Sequence, residues 1–131
     1  MRKFNLACIV DDDPTHVYIT KRQVLMTGMV ETIMICSNGK EAYDKMKAIM
    51  GAGETLPELI LLDLNMPVWD GWQFLEEFIK IPVEQKIMIY LLTSSTSEED
   101  LQKADSYNLT SNYLIKPITY DQLKQVFQES A

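Results

Sequence analysis

Short apolar runs alternate with amphipathic segments from one end of the chain to the other. Apolar runs of this length, bounded by turn residues, are typical of β-strands. The runs at 59–62 and 87–92 are continuously apolar, which favours strands buried on both faces in the middle of a sheet. The predicted strands, in chain order, are 4–10, 33–36, 59–62, 87–92 and 112–115.

A helix is predicted after each strand, because apolar residues recur there at intervals of three or four. Residues typical of helix beginnings are Pro14, Asn38 with Glu41, Asp70, Ser97, and Thr119 with Gln122. Residues typical of helix ends are Gly28, Pro82 and Asn108. The predicted buried faces are Val17, Val24 and Leu25; Ala42, Met46 and Ile49; Phe74, Leu75, Phe78 and Ile79; and Leu123, Val126 and Phe127.

Five strands alternating with five helices indicate an α/β fold, with a parallel sheet, right-handed crossovers and helices on both faces. A chain of 131 residues with 47% hydrophobic residues fits one domain with a real core. Because the sequence shows neither an internal repeat nor a linker, we expect a single domain over residues 1–131 with no output domain.

The net charge of −7 argues against nucleic acid or an anionic membrane as a partner, since both attract basic surfaces. No apolar run approaches the ~18 residues of a membrane span. The first apolar run ends at Asp11 and is too short for a signal peptide, so we expect a cytoplasmic protein. Cys8 and Cys36 lack metal-ligand spacing and are expected to be buried, reduced thiols.

Reactive side chains stand where four predicted strands end: Asp11 and Asp12, Asp63, Thr93, and Lys116. Parallel strands place these ends at one edge of the sheet, where open α/β sheets bind ligands. Three neighbouring carboxylates need a cation at neutral pH, and their oxygens suit Mg²⁺, with Mn²⁺ as an alternative. Lys116 can hold a phosphoryl oxygen and Asp63 can act as a nucleophile. The set therefore predicts phosphoryl transfer through an acyl phosphate.

These residues, in this order, resemble the receiver domains of two-component response regulators over nearly the whole chain. The resemblance rests on residues 10–14 (VDDDP), residues 62–67 (LDLNMP), Asp70-Gly71, Thr93 and Lys116-Pro117. It implies a flavodoxin-like, doubly wound sheet of five parallel strands in the order 2-1-3-4-5. It also implies a cis bond between Lys116 and Pro117.

The resemblance further implies a role for each site residue. Asp63 resembles the phosphoacceptor, and Lys116 the lysine that pairs with the phosphoryl group. The implied Mg²⁺ ligands are Asp11, Asp12, Asp63 and the backbone carbonyl of Asn65, whereas Asp13 is expected to cap the first helix. The implied switch residues are Thr93 and Tyr113. Asn65 and Ser95 occupy the positions that tune loss of the phosphoryl group.

By the same resemblance, the phosphoryl donor is a sensor histidine kinase or a histidine phosphotransfer protein. The output is binding of a downstream protein, which the sequence does not identify, through the fourth helix, fifth strand and fifth helix. The chain would catalyse its own phosphorylation and dephosphorylation without being an enzyme in the usual sense. His16, the single histidine, is expected on the surface of the first helix, so the chain supplies no phosphodonor of its own.

Two alternatives remain from the residues themselves. One is a receiver-like binding module that works without phosphorylation, although the acidic pair, the acceptor and the lysine are all present. The other is a phosphatase of the haloacid dehalogenase type with Asp11 as nucleophile, since Asp11, Asp13 and Thr15 fit its first motif. That class needs a later acidic pair at a strand end, and only Asp121 and Glu129 follow Lys116.

Overall fold

The computed structural model describes residues 4–94 and 97–129. Their five strands form one parallel sheet. The strands are β1 (Phe4–Val10), β2 (Val30–Cys36), β3 (Leu59–Asp63), β4 (Met88–Thr93) and β5 (Tyr113–Ile115). The helices are α1 (Pro14–Thr27), α2 (Gly39–Gly51), α3 (Gly71–Phe78), α4 (Glu98–Ser106) and α5 (Tyr120–Glu129), and a 3-10 helix spans Thr110–Asn112. The order β2-β1-β3-β4-β5 confirms the flavodoxin-like α/β prediction.

The central strand β3 is buried at all five positions. Successive side chains of a strand point to opposite faces of the sheet. Ile60 and Leu62 therefore pack into a core with residues of α2 and α3. Leu59 and Leu61 pack into a second core with residues of α1 and α5. Because both faces of β3 are covered, the position of Asp63 at its end is fixed from two sides.

The helix beginnings follow the predicted capping chemistry. The Asp13 carboxylate accepts hydrogen bonds from the amides of Thr15 and His16, which makes it the cap of α1. Thr119 and Gln122 exchange hydrogen bonds of 3.0 and 3.1 Å and so form a complete capping box. The predicted box at α2 forms only in part: Asn38 accepts from the Glu41 amide, but the Glu41 side chain accepts from the amide of Ser37.

Two predicted buried faces were wrong in part. Leu25 is 52% exposed and Ile79 is 59% exposed. The buried residues of α1 are His16, Thr20 and Val24, which are spaced four apart, so two polar residues occupy the inner face of this helix. α3 ends at Phe78, four residues before Pro82, and Ile79 therefore lies beyond the buried helical stripe.

Two expectations drawn from composition can be compared with the structure. Cys8 and Cys36 are both free and buried, with their sulfur atoms 3.9 Å apart, as expected for reduced thiols on neighbouring strands. In the described part of the chain, no helix is long and apolar enough to cross a membrane.

Candidate functional site

The carboxyl ends of β1, β3 and β5 bring four charged side chains together at one edge of the sheet. The Lys116 ammonium lies 3.1 Å from Asp11 Oδ2 and 3.2 Å from Asp63 Oδ2. Asp11, Asp12 and Asp63 each present a carboxylate oxygen, and these three atoms lie within 4.8 Å of one another. The structure thus assembles the acidic cluster that the strand ends predicted, with Lys116 inside it.

A tight turn follows Asp63. The Asn65 amide donates to Asp63 Oδ1 at 3.2 Å, and the Gly71 amide donates to the carbonyl of Leu64 at 3.1 Å. A Cβ atom on Gly71 would lie 2.7 Å from the carbonyl oxygen of Asp63, so a side chain there would push the loop away from the site. The sequence marked Gly71 only as part of a helix beginning, and its close approach to Asp63 emerges from the fold.

Asp11 is the most heavily bonded carboxylate of the cluster. Its Oδ1 accepts from the Asp13 amide at 3.0 Å, and its Oδ2 lies 2.8 Å from His16 Nδ1. The prediction that His16 is a surface residue was therefore wrong, because the ring is 8% exposed and faces Asp11. The four-residue spacing of His16, Thr20 and Val24 was the signal that places this histidine on the inner face of α1.

Burial and charge shift the ionisation of the three central groups. Burial, followed by the neighbouring Asp11 charge, raises the pKa of Asp63 from 3.8 to about 6, although the Asn65 amide and Lys116 act against it. For Asp11, burial also acts to raise the pKa, but donation from Asp13, His16 and Lys116 outweighs it and lowers the pKa. Burial opposes the charge of Lys116, yet the two carboxylates raise its pKa overall. Asp11 and Lys116 therefore stay charged, whereas Asp63 gains or loses its proton near pH 6 in the metal-free protein.

The donor set of the cluster fits a hard divalent cation. Carboxylate oxygens are the ligands that Mg²⁺ prefers, and Mg²⁺ keeps several of its waters when it binds to proteins. Asp11 and Asp63 are buried, but Asp12 is exposed, so the site has a wet side. A pocket of about 360 Å³ borders Asp11 and Asp12 on that side. The backbone carbonyl of Asn65 remains a predicted further ligand.

Thr93 belongs to β4, which pairs with β3, and Tyr113 belongs to β5, which pairs with β4. Thr93 is fully buried at the end of β4, where its carbonyl accepts from the Lys116 amide at 2.7 Å. Within residues 4–94 and 97–129, the buried Tyr113 hydroxyl has no hydrogen-bond partner of standard geometry. Burial and then the Asp100 charge raise the pKa of Tyr113, and the Thr93 hydroxyl acts in the opposite direction. Ser95 lies outside the described residues, and the peptide bond from Lys116 to Pro117 is cis.

The sequence did not reveal how α4 is attached to α3. The Trp72 indole nitrogen donates to Asp100 Oδ1 at 2.9 Å, and the Trp72 ring stacks on Tyr107 with ring centres 6.0 Å apart. Asp100 lies in the first turn of α4, and Tyr107 directly follows its last residue. One indole therefore contacts both ends of α4. No local spacing signals such a contact between residues 28 positions apart.

Comparison with known proteins agrees with this geometry. Residues 7–128 match the response regulator receiver domain family. The probable methanogenesis regulatory protein FilR2 of Methanothrix harundinacea is 34% identical over 121 residues, which are 92% of this chain and 77% of FilR2. The sensor histidine kinase CheAY of Helicobacter pylori is 26% identical over 121 residues, but this chain covers only 14% of that kinase.

A solved structure gives the same result over the whole fold. The two-component response regulator from Cytophaga hutchinsonii superposes with a TM-score of 0.86 at 29% identity, covering 98% of this chain and 97% of the other. The strand order, the acidic cluster and the match over residues 7–128 all lead to one assignment. This chain belongs to the response regulator receiver domain family.

Proposed function

We propose that Asp63 is the phosphoacceptor of a two-component or phosphorelay pathway, and that its phosphorylation requires Mg²⁺. The observation that carries the proposal is the position of Asp63, at the end of a buried central strand, 3.2 Å from Lys116. Two further carboxylates, those of Asp11 and Asp12, complete a cation site beside it. Phosphoryl transfer depends mainly on positioning and charge neutralisation, and this arrangement supplies both.

In the proposed reaction, an Asp63 carboxylate oxygen attacks the phosphorus of a phosphohistidine. A P–O bond forms as the P–N bond breaks, and the leaving imidazole keeps the electron pair and takes up a proton. Lys116 stands where it can pair with a phosphoryl oxygen as a point charge. When bound to Asp11, Asp12 and Asp63, Mg²⁺ would supply further neutralisation of the phosphoryl charge. Asp63 must be ionised to attack, and a cation beside it would favour that form, since burial raises its pKa to about 6 in the metal-free protein.

Thr93 and Tyr113 would pass the state of Asp63 to the surface formed by α4, β5 and α5. Thr93 ends the strand next to β3, and Tyr113 lies opposite Leu91 in the neighbouring pair of strands. Phosphorylation would favour one arrangement of this surface, because a switch needs contacts that differ between its two states. Asn65 and Ser95 would then set the rate at which water removes the phosphoryl group.

The proposed partners are a histidine kinase or histidine phosphotransfer protein as donor and a second protein as target. A sensor histidine kinase is among the relatives, which supports a phosphohistidine donor. The alternative with Asp11 as nucleophile fits the geometry less well, because Asp13, His16 and Lys116 already occupy the Asp11 carboxylate.

The test is intact-mass analysis after incubation with acetyl phosphate and Mg²⁺. We expect a single phosphoryl adduct, which a chelator and Asp63→Asn each abolish and which Mn²⁺ restores in place of Mg²⁺. Asp121→Asn is the matched control, because it neutralises an exposed carboxylate in the first turn of α5 that is not a member of the acidic cluster.

Other outcomes would overturn the proposal in identifiable ways. An adduct that survives Asp63→Asn but disappears in Asp11→Asn would favour the phosphatase-like reaction. The absence of any adduct, together with the absence of Mg²⁺ binding by calorimetry, would favour a receiver-like module that works without phosphorylation.

A further inference from the structure

We infer that His16 is a positioning residue that holds the Asp11 carboxylate ready for a divalent cation. The inference rests on the proposed function, because it assigns a second layer of contacts to the same Mg²⁺ site. His16 lies on the inner face of α1, and Asp11 follows the last residue of β1. The contact between them therefore joins the first helix to the acidic cluster.

The geometry of this contact is that of a strong hydrogen bond. His16 Nδ1 lies 2.8 Å from Asp11 Oδ2, and both side chains are almost completely removed from solvent. Hydrogen bonds to a charged acceptor in a buried site are shorter and stronger than neutral ones. Because a carboxylate has no donor, the proton of the bond belongs to the ring at Nδ1.

The other ring nitrogen supports a role directed at Asp11. Among the residues that the structure describes, the buried His16 Nε2 has no hydrogen-bond partner. The Thr20 hydroxyl also lies on the Nδ1 side, at a longer 3.4 Å. An apolar residue would fill this place without burying an unpaired nitrogen, so packing alone does not account for a histidine here. The contact that the ring does make is the one to the acidic cluster.

The other contacts of Asp11 show how the bond from His16 would act on its carboxylate. A carboxylate has about four acceptor positions, and the Asp13 amide, His16 and Lys116 occupy three of them. The amide fixes Oδ1 and the ring fixes Oδ2, so the carboxylate plane cannot turn. One acceptor position stays available for a cation. Partners of this kind orient metal ligands and strengthen metal binding in other proteins.

The test compares two variants of His16, one that lacks a hydrogen-bond donor to Asp11 and one that keeps a donor. His16→Leu fills the space but has no donor, whereas His16→Asn places an amide N–H near the position of Nδ1. Val24→Ala is the control, since it alters the buried face of the same helix more than two turns away from His16. Mg²⁺ affinity is measured by isothermal titration calorimetry on the full chain, with circular dichroism to verify the fold.

We expect His16→Leu to weaken Mg²⁺ binding by about 10-fold to 100-fold, the usual effect of losing such a partner. His16→Asn should restore most of the affinity, and Val24→Ala should leave it nearly unchanged. Equal affinity in His16→Leu and the parent would overturn the inference. So would equal losses in His16→Leu and His16→Asn, since the ring would then act through its shape.

A measurement on the parent protein does not depend on the variants folding. The chain contains one histidine, so its imidazole nitrogen resonances need no further assignment. We expect ¹⁵N NMR to show the proton on Nδ1 and to show a shift of both ring nitrogens as Mg²⁺ is added. A proton on Nε2 with a bare Nδ1 would contradict the inference. A parent protein that binds no Mg²⁺ at all would instead overturn the proposed function.

Discussion

Asp63 is buried, yet the reaction proposed for it requires a charged carboxylate. Asp63 is only 3% exposed, and the ionised Asp11 lies close to its carboxylate. Lys116 and the Asn65 amide offset part of this penalty, but the pKa of Asp63 still rises to about 6. The ionised Asp63 carboxylate thus destabilises the metal-free fold.

Asp63→Asn should therefore stabilise the metal-free protein at pH 7, by up to about 3 kcal/mol for a pKa shift of about two units. Because the folded pKa is the higher one, the parent should gain stability from this group as the pH falls from about 6 toward 3.8. The gap between variant and parent should close over that range. Urea denaturation at several pH values, with Asp121→Asn as control, measures it, and destabilisation at pH 7 would contradict the argument.

Val68 shows strain of another kind. It lies in the loop after Asp63 with φ of 69°, a left-handed conformation that is unfavourable for a β-branched residue. Its side chain is 71% exposed, so little apolar contact compensates for the strain. Asn108 has a similar φ of 60°, but asparagine tolerates this region.

We expect Val68→Gly to raise the free energy of unfolding by about 0.5–1 kcal/mol, the relief of strain less the added freedom of glycine in the unfolded chain. Asn108→Gly is the matched comparison and should give a smaller gain. Urea denaturation of both variants provides the measurement. A loss of stability in Val68→Gly would show that the exposed side chain makes a stabilising contact.

These residues also mark how far sequence reasoning reaches. Asp63 and Lys116 could be predicted because their strands end at them and parallel strands share an edge. The place of His16 could not be derived from strand ends, since it depends on which face of α1 turns inward. The strain at Val68 arises from the path of a loop, which hydrophobic periodicity does not describe.

Among the elements, α4 contacts one side chain of α3, Trp72, near both of its ends. Trp72 of α3 donates to Asp100 and stacks on Tyr107, and the Lys103 ammonium lies 5.9 Å from the centre of the indole ring. Of the nine residues of α4, only Ala104 is fully buried. Because α4 buries so few residues, its contacts with Trp72 contribute much of what holds it against α3.

Asp100→Ala should therefore loosen α4 selectively. We expect its amides to exchange with solvent about tenfold faster, as for a loss of about 1.4 kcal/mol, while those of α1 stay unchanged. Glu98→Ala is the control, because it removes a charge from the same turn without contacting Trp72. Hydrogen exchange by mass spectrometry resolves the helices, and equal acceleration in both variants would assign the effect to helix charge alone.

Element boundaries were predictable where capping chemistry is local, as at Thr119 with Gln122 and at Asp13. They were less so where tertiary packing decides. β2 begins at Val30, three residues before the predicted run, because Phe4 and Leu6 of β1 continue the pairing there. β5 shortens to Tyr113–Ile115 because the chain before it, Thr110–Asn112, closes into a 3-10 turn.

For the molecule as a whole, the alternation of strands and helices and the composition were enough to predict the fold class. The strand order came instead from the resemblance to receiver domains, because alternation alone allows several orders of a parallel sheet. The comparisons and the observed topology confirm both. The net charge of −7 is also a property of the entire molecule, and it attracts any cation without regard to the acidic cluster.

Mg²⁺ should stabilise the folded protein by mass action, by about 2.7 kcal/mol at a concentration 100 times its dissociation constant. KCl at equal ionic strength is the control, since screening of a molecule with net charge −7 also raises stability. Asp12→Asn should remove most of the Mg²⁺-specific stabilisation, because it removes one of the proposed ligands. Since Asp12 is exposed, the substitution should otherwise change the fold little. Thermal unfolding followed by circular dichroism measures both, and equal effects of Mg²⁺ and KCl would exclude a specific site.

The position of Lys116 has a consequence for how quickly the site can respond. Its ammonium already bridges Asp11 and Asp63, so the protein carries an internal counter-ion in the cluster before any metal arrives. The carboxylates are therefore already gathered in the folded protein, and an ion at the proposed site would meet a preassembled set of ligands. At the proposed site, Mg²⁺ would join these carboxylates beside Lys116 with no ordering of the chain, so its binding would be fast compared with a site that must fold around its ion.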